Sequence, residues 1–268
     1  RGPAPGVLIP VFPGTNCEYD SAEAVEEAGG RPRTIVLRTV TRQAIEESLD
    51  ALARALAQSQ ILLLPGGFSA GDEPDGSGKF MAALLRMPRV AAEIERLVRE
   101  RDGLILGICN GFQALVRLGL VPYGEIRDRA PGDPVLAQNR IGHHVARMAW
   151  TRIASSSSPW LAATRPGDVY AVPVSHGEGR LLMERAAAER LFEAGQVATQ
   201  YADPTGALAE GEPWNPNGSV LAIEGITSPD GRIFGKMGHI ERIAPGLFRN
   251  HPEPGNAGII ESGIRYFR

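Results

Sequence analysis

Three short runs in the first half of the chain are apolar from end to end, and each stops at a turn. They are Val7-Leu8-Ile9-Pro10-Val11-Phe12 before Pro13-Gly14, Ile61-Leu62-Leu63-Leu64 before Pro65-Gly66-Gly67, and Gly103-Leu104-Ile105-Leu106-Gly107-Ile108 before Cys109. A strand with one wet face alternates polar and apolar residues, whereas a strand apolar throughout needs cover on both faces. Between these runs the period changes. Residues 20–28 are helix-like and stop at Gly29-Gly30, residues 34–37 form a further strand, and Thr41 caps a helix to about residue 57 in which Ala44, Ile45, Leu49, Leu52 and Leu56 recur at helical spacing. Residues 81–99 read as one long helix, and residues 110–118 as another, closed by Gly119. Strands and helices in strict alternation predict an α/β fold: three layers, a mostly parallel sheet with helices on both faces, joined by right-handed crossovers.

The second half is less regular. Strands are expected at 145–152, 169–174, 196–201, 220–223 and 232–237, a helix at 186–194, and a loop at 204–219, rich in Gly, Pro and Asn. With 268 residues the chain has room for one large domain. A net charge of -3 without a long basic run argues against nucleic acid or an anionic membrane as a partner. No apolar run approaches the ~20 residues that span a bilayer, and the N-terminus lacks a signal-peptide layout. Only two cysteines occur, Cys17 and Cys109, a count suited to a reducing cytoplasm; nothing in the sequence supports a disulfide between them. The chain opens on Arg1, and residues 1–6 read as linker, as expected of a C-terminal domain cut from a longer chain, or of a processed or engineered terminus.

In open α/β sheets, sites gather at the carboxyl ends of the strands. Cys109 and the turn at Gly66-Gly67 fall there. A thiolate at a strand end that bends into a helix N-terminus is favoured by the helix dipole, and Gly107-Ile108-Cys109-Asn110-Gly111 fits such an elbow. Gly111 is expected to leave room beside the sulfur for a substrate. On spacing alone Cys109 reads equally well as an inert core thiol. Cys17, in Gly14-Thr15-Asn16-Cys17, is a rival that ranks lower because no glycine follows it.

A cysteine nucleophile needs an imidazole base and a carboxylate to hold it. Of the five histidines, two have a glutamate two positions on: His176 with Glu178, and His239 with Glu241. Residues i and i+2 of an extended chain project to one side, so either pair could serve, and spacing does not choose. His143, His144 and His251 read as surface or packing residues. No Walker-type phosphate loop is present, and no run of His, Cys, Asp or Glu has metal-ligand spacing.

At these residues the chain resembles a known family. Leu106-Gly107-Ile108-Cys109-Asn110-Gly111-Phe112-Gln113 is similar to the nucleophile motif of class I, triad-type glutamine amidotransferases. With Phe12-Pro13-Gly14-Thr15-Asn16-Cys17, Pro65-Gly66-Gly67-Phe68-Ser69-Ala70-Gly71-Asp72 and Val174-Ser175-His176-Gly177-Glu178-Gly179, the match narrows to the glutaminase part of phosphoribosylformylglycinamidine synthases. It covers nearly the whole chain. The resemblance implies a flavodoxin-like sheet and a single glutaminase domain over residues 7–268. It also implies a triad of Cys109, His239 and Glu241, because Gly238-His239-Ile240-Glu241-Arg242 stands where the family has His-Pro-Glu-Arg. Ile240 replaces the proline, which puts the rigidity of that turn in question.

The resemblance further implies oxyanion donors at Gly67 or Phe68 and at Asn110, a substrate-side Gln113, and pocket-wall roles for His176 and Glu178. Implied too are glutamine as substrate, a synthetase domain or subunit as partner, and ATP and magnesium in that partner, with no cofactor in this domain. Asp72-Glu73-Pro74-Asp75-Gly76-Ser77-Gly78 resembles the long-chain type of the enzyme. Two other readings remain: a related α/β cysteine hydrolase such as a peptidase or deglycase, which a glutamine-specific release of ammonia would exclude, and a non-catalytic binding domain of the same fold.

Overall fold

The computed structural model describes residues 2–71, 76–251 and 254–268. The first half comprises β1 (Gly6–Val11), α1 (Glu18–Glu27), β2 (Arg31–Val36), α2 (Arg42–Ala57), β3 (Ile61–Leu64), α3 (Lys79–Leu85), α4 (Pro88–Arg99), β4 (Leu104–Ile108), α5 (Asn110–Leu118) and α6 (Leu120–Tyr123). The second comprises β5 (Val135–Ala137), β6 (Val145–Ile153), β7 (Val169–His176), β8 (Arg180–Leu182), α7 (Arg185–Glu193), β9 (Val197–Tyr201), β10 (Ile223–Thr227), β11 (Ile233–Lys236) and α8 (Ile259–Arg265).

Among the described residues, one nine-stranded sheet runs in the order β2-β1-β3-β4-β11-β10-β9-β6-β7, and β5 pairs with β8 in a separate ribbon. The strands β2, β1, β3, β4 and β11 are mutually parallel, and beyond β11 every pairing is antiparallel. Only β10 and β6 therefore run against the rest, and the sheet is mostly parallel in direction. The chain crosses over between β1 and β3, so the crevice of a doubly wound sheet opens above their carboxyl ends. Every residue of β3 and β4 is buried, as cover on both faces requires. The Thr41 hydroxyl accepts from Ala44 N at 3.1 Å and caps α2, whose Leu49, Leu52 and Leu56 are wholly buried. Each such side chain contributes about 1.5–3 kcal/mol. No helix among the described residues is long and apolar enough to cross a membrane.

The structure departs from the sequence expectations in four places. The helix expected over 81–99 is two helices, because Pro88 lacks an N–H and excludes α geometry from the residue before it; Met87 stands at φ -57, ψ 130. The strand expected at 220–223 is a 3-10 turn over Val220–Ala222 with left-handed Leu221 and Ala222, and the strand starts only at Ile223. The expected linker is tied down: Gly6 opens β1, Pro5 is buried, and Pro5 O accepts from Arg31 N at 2.9 Å. The short β5, β8, α6 and the terminal α8 have no counterpart in the sequence pattern.

Candidate active site

Four carboxyl ends of the parallel strands converge: the turn after β1, Pro65–Phe68 after β3, Cys109 after β4, and residues 237–241 after β11. Cys109 joins the last buried residue of β4 to the first of α5 and takes φ 51, ψ -105. An L-residue pays of order 1–3 kcal/mol for such a conformation. It is held there by Cys109 N donating to Lys236 O at 2.8 Å and by Gln113 N donating to Cys109 O at 3.0 Å. Cys109 is 5% exposed, with Sγ 3.6 Å from Ser175 O. Both flanking glycines serve packing. A methyl group at Gly107 would lie 2.6 Å from Leu115 Cδ1, and one at Gly111 would collide with the Leu64 backbone. The space beside Gly111 is thus filled by β3 and is not room for a substrate.

His239 follows β11. Its N–H donates to Pro173 O at 2.8 Å, and its Nδ1 stands 2.7 Å from Glu241 Oε1. A 3-10 turn over Ile240–Arg242 curls the carboxylate back to the ring. The side chains of His239 and Glu241 are 4% and 0% exposed. Burial alone would depress the imidazole, but the Glu241 charge, followed by the Cys109 and Cys17 sulfurs, outweighs it and raises the pKa of His239 well above the ordinary histidine value. The ring packs edge-on against Gly66, where a methyl group would lie 2.7 Å from Cε1.

Cys17, ranked low by sequence, is at the same ring: its Sγ is 3.8 Å from His239 Nδ1 and donates to Asn16 Oδ1 at 3.1 Å. Burial pushes this thiol up. No sequence signal could place it, since the contact spans 222 positions.

The turn before His239 is fixed from below. Lys236, wholly buried in β11, meets Glu224 Oε1 at 3.0 Å and donates to Gly238 O at 3.0 Å, while Gly238 N donates to the same Glu224 oxygen at 2.6 Å. Thr199 holds the other carboxylate oxygen. Both polar groups of Gly238 are therefore clamped by a buried ion pair, which supplies the rigidity that Ile240, in place of proline, left in question. Polar residues inside the apolar runs Ile233-Phe234-Gly235-Lys236 and Ile223-Glu224-Gly225-Ile226 were the signal for this pair, and sequence reasoning passed over it.

The remaining expected residues lie around this centre in different ways. Phe68 N donates to Gly14 O at 2.9 Å and is spent on that bond, so Phe68 is not an oxyanion donor here. Gly67, at φ 145, faces Thr15 in the same bridge without using its own amide. Asn110 Oδ1 accepts from Ser69 N at 3.2 Å, and its amide donates to Gln113 Oε1 at 2.8 Å. Gln113, 3% exposed, donates to Glu178 O at 2.6 Å. It thus braces α5 against the segment after β7 and is not among the residues that line the cleft beside His239.

His176 and Glu178 do not pair with each other. His176 Nδ1 meets Asn139 Oδ1 at 3.1 Å, and its buried Nε2 has no partner. Burial, with the nearby His239 and His144 charges, lowers its pKa to about 3. Glu178 accepts from Ser77 N at 2.8 Å and Ser77 Oγ at 2.6 Å. Both residues are buried, and neither is among those that line the open cleft beside His239. Of the stretch 72–78 that resembled the long-chain type, residues 72–75 lie outside the described residues. His143 and His144 are exposed, and His144 Nε2 meets Ser175 Oγ at 2.9 Å. An open cleft of about 440 Å³ has His239, Ser175, Arg147, Arg242 and Phe248 in its wall.

A thiol on a strained strand-to-helix turn, an imidazole whose pKa that sulfur helps to raise and a carboxylate on that imidazole, gathered on a doubly wound sheet, are the groups of a thiol-dependent α/β hydrolytic centre. The chain belongs to the CobB/CobQ-like glutamine amidotransferase domain family, whose model matches residues 4–268, and within it to the relatives of the PurQ subunits of phosphoribosylformylglycinamidine synthase. It is 36% identical over 257 residues to the subunit of Dehalococcoides mccartyi, covering 96% of this chain and 91% of that protein. It is 35% identical to that of Rubrobacter xylanophilus, covering 90% of each. Among solved structures, PurLQS from Thermotoga maritima matches with a TM-score of 0.70 and 26% identity, over 99% of this chain and 100% of that one. The glutaminase domain of Trypanosoma brucei CTPS, at 15% identity and a TM-score of 0.52, shares the fold.

Proposed function

We propose that the chain hydrolyses glutamine to glutamate and ammonia through a thioester on Cys109, and passes the ammonia to a synthetase partner that makes formylglycinamidine ribonucleotide from formylglycinamide ribonucleotide in purine biosynthesis. The observation that carries this reading is the 2.7 Å pair of His239 and Glu241 beside the strained Cys109 turn. The family supplies the substrate class.

In this reading His239 takes the Cys109 proton as sulfur attacks the side-chain amide carbon. The C–S bond forms, the C–N bond breaks, and ammonia leaves with the proton His239 returns. Water, deprotonated by the same ring, then splits the thioester to glutamate and the free thiol. Glu241 holds the ring by Nδ1 and stabilises its charged form. The amides of Gly67 and Asn110 are the candidate donors to the oxyanion, each worth about 2.7–4 kcal/mol of barrier. ATP and magnesium belong to the partner in this scheme.

Cys109→Ala tests it. With the synthetase present, glutamine-dependent product formation should vanish while ammonium salts still support synthesis. Loss of both in a folded variant would overturn the assignment.

A further inference from the structure

Cys17 has no part in the scheme above, yet its sulfur is buried 3.8 Å from His239 Nδ1. Glu241 Oε1 is 2.7 Å from the same nitrogen, and Glu241 Oε2 is buried without a hydrogen-bond partner. One donor atom from each of Cys17, His239 and Glu241 lies within 4.8 Å of the other two, and all three residues are buried. Thiolate, imidazole and carboxylate are the donors zinc takes, at about 2.3 Å to sulfur and roughly 2.0–2.2 Å to nitrogen and oxygen. Tetrahedral ligands at those radii stand about 3.3–3.6 Å apart. The sulfur–nitrogen separation needs to close slightly. The nitrogen–oxygen separation opens by about half an ångström once a metal ion replaces the proton between them.

We propose that Cys17, His239 and Glu241 form a binding site for a zinc-class divalent cation, and that its occupancy stops ammonia release by taking the imidazole out of service. The second clause rests on the function proposed above; the first does not. Binding releases the Cys17 thiol proton and the proton shared by Nδ1 and Glu241. The thiolate and carboxylate then balance the two charges of the ion. Water entering from the cleft at His239 completes the coordination. Magnesium and calcium prefer all-oxygen shells, so the magnesium a synthetase uses does not compete.

Cobalt(II) titrated into the reduced, metal-free full chain is the test, read by the sulfur-to-cobalt charge-transfer band and the tetrahedral d–d bands. One equivalent should bind, and zinc should displace it. Because the chain has only two cysteines, a band retained in Cys109→Ala can come only from Cys17. Cys17→Ser should lose the band, His239→Ala should weaken binding at least tenfold, and zinc should inhibit glutamate release in Cys17→Ser at least tenfold less, relative to that variant's own rate. No band in the wild type, or loss of the band in Cys109→Ala, overturns the site. That second arm decides the matter even if Cys17→Ser fails to fold. A band with undiminished glutaminase activity would keep the site and remove the inhibition.

Discussion

Two loops of this molecule carry a histidine and a glutamate at the same spacing, and they do opposite things with them. After β11, a 3-10 turn brings Glu241 back to 2.7 Å from His239. At the end of β7, the chain carries Glu178 away to Ser77 and leaves His176 on Asn139. The imidazoles follow suit. Glu241 and the two sulfurs favour the charged form of His239, whereas burial keeps His176 neutral down to about pH 3. The pairing depends on the turn after the histidine: the 3-10 turn after His239 produces it, and the bend after His176 does not.

The sharpest way to break the comparison is to truncate both rings. His239→Ala should lower glutamate release by about 10²–10⁴ in kcat, with His176→Ala within about tenfold of wild type; the reverse order would mean that the wrong loop holds the base. The carboxylates give a smaller contrast. Glu241→Gln should cost about 10²-fold or more in kcat through loss of ring orientation, whereas Glu178→Gln should leave the chemistry in place and lower unfolding free energy in urea by about 1–3 kcal/mol, the cost of disturbing buried hydrogen bonds to Ser77. Equal kinetic penalties would erase the distinction.

The pH dependence of stability is the mildest probe. The folded-state pKa of His176 lies below its unfolded value of about 6.5, at about 3, so between those limits the unfolded chain binds the extra proton. Stability should therefore fall with acid through that window, by at most about 1.4 kcal/mol per pH unit from this group. Replacing His176 by Gln should flatten the slope in denaturant titrations at successive pH values, and an unchanged slope would show that another group carries it.

How much of this was legible in the sequence varies with the kind of contact. The parallel half could be read because a strand buried on both faces admits only apolar residues, and its glycine turns mark where each strand ends. The break at Pro88 was written in the sequence and was missed because helical periodicity continued through it. The strand-to-helix turn at Cys109 could be placed by its glycines, although Gly111 proved to meet Leu64. What sequence did not reveal was depth. Gln113, His176 and Glu178 matched motif positions and are buried, bonded to Glu178 O, Asn139 and Ser77, while Cys17 lies against the imidazole through a contact set only by the tertiary fold. Three-residue strands such as β5 are too short for any period to register.

The left-handed backbone at Cys109 has a consequence for the history of such a chain. That conformation is tolerated because neighbouring amides and carbonyls impose it, and glycine would adopt it with less strain. Cys109→Gly should therefore melt later than Cys109→Ala while both are dead catalysts, a difference on the order of 1 kcal/mol. The sulfur proposed as the nucleophile thus sits on a strained turn that the rest of the domain holds in place. A lineage released from the need to liberate nitrogen would drift toward glycine at this position and become sturdier as it lost its trade.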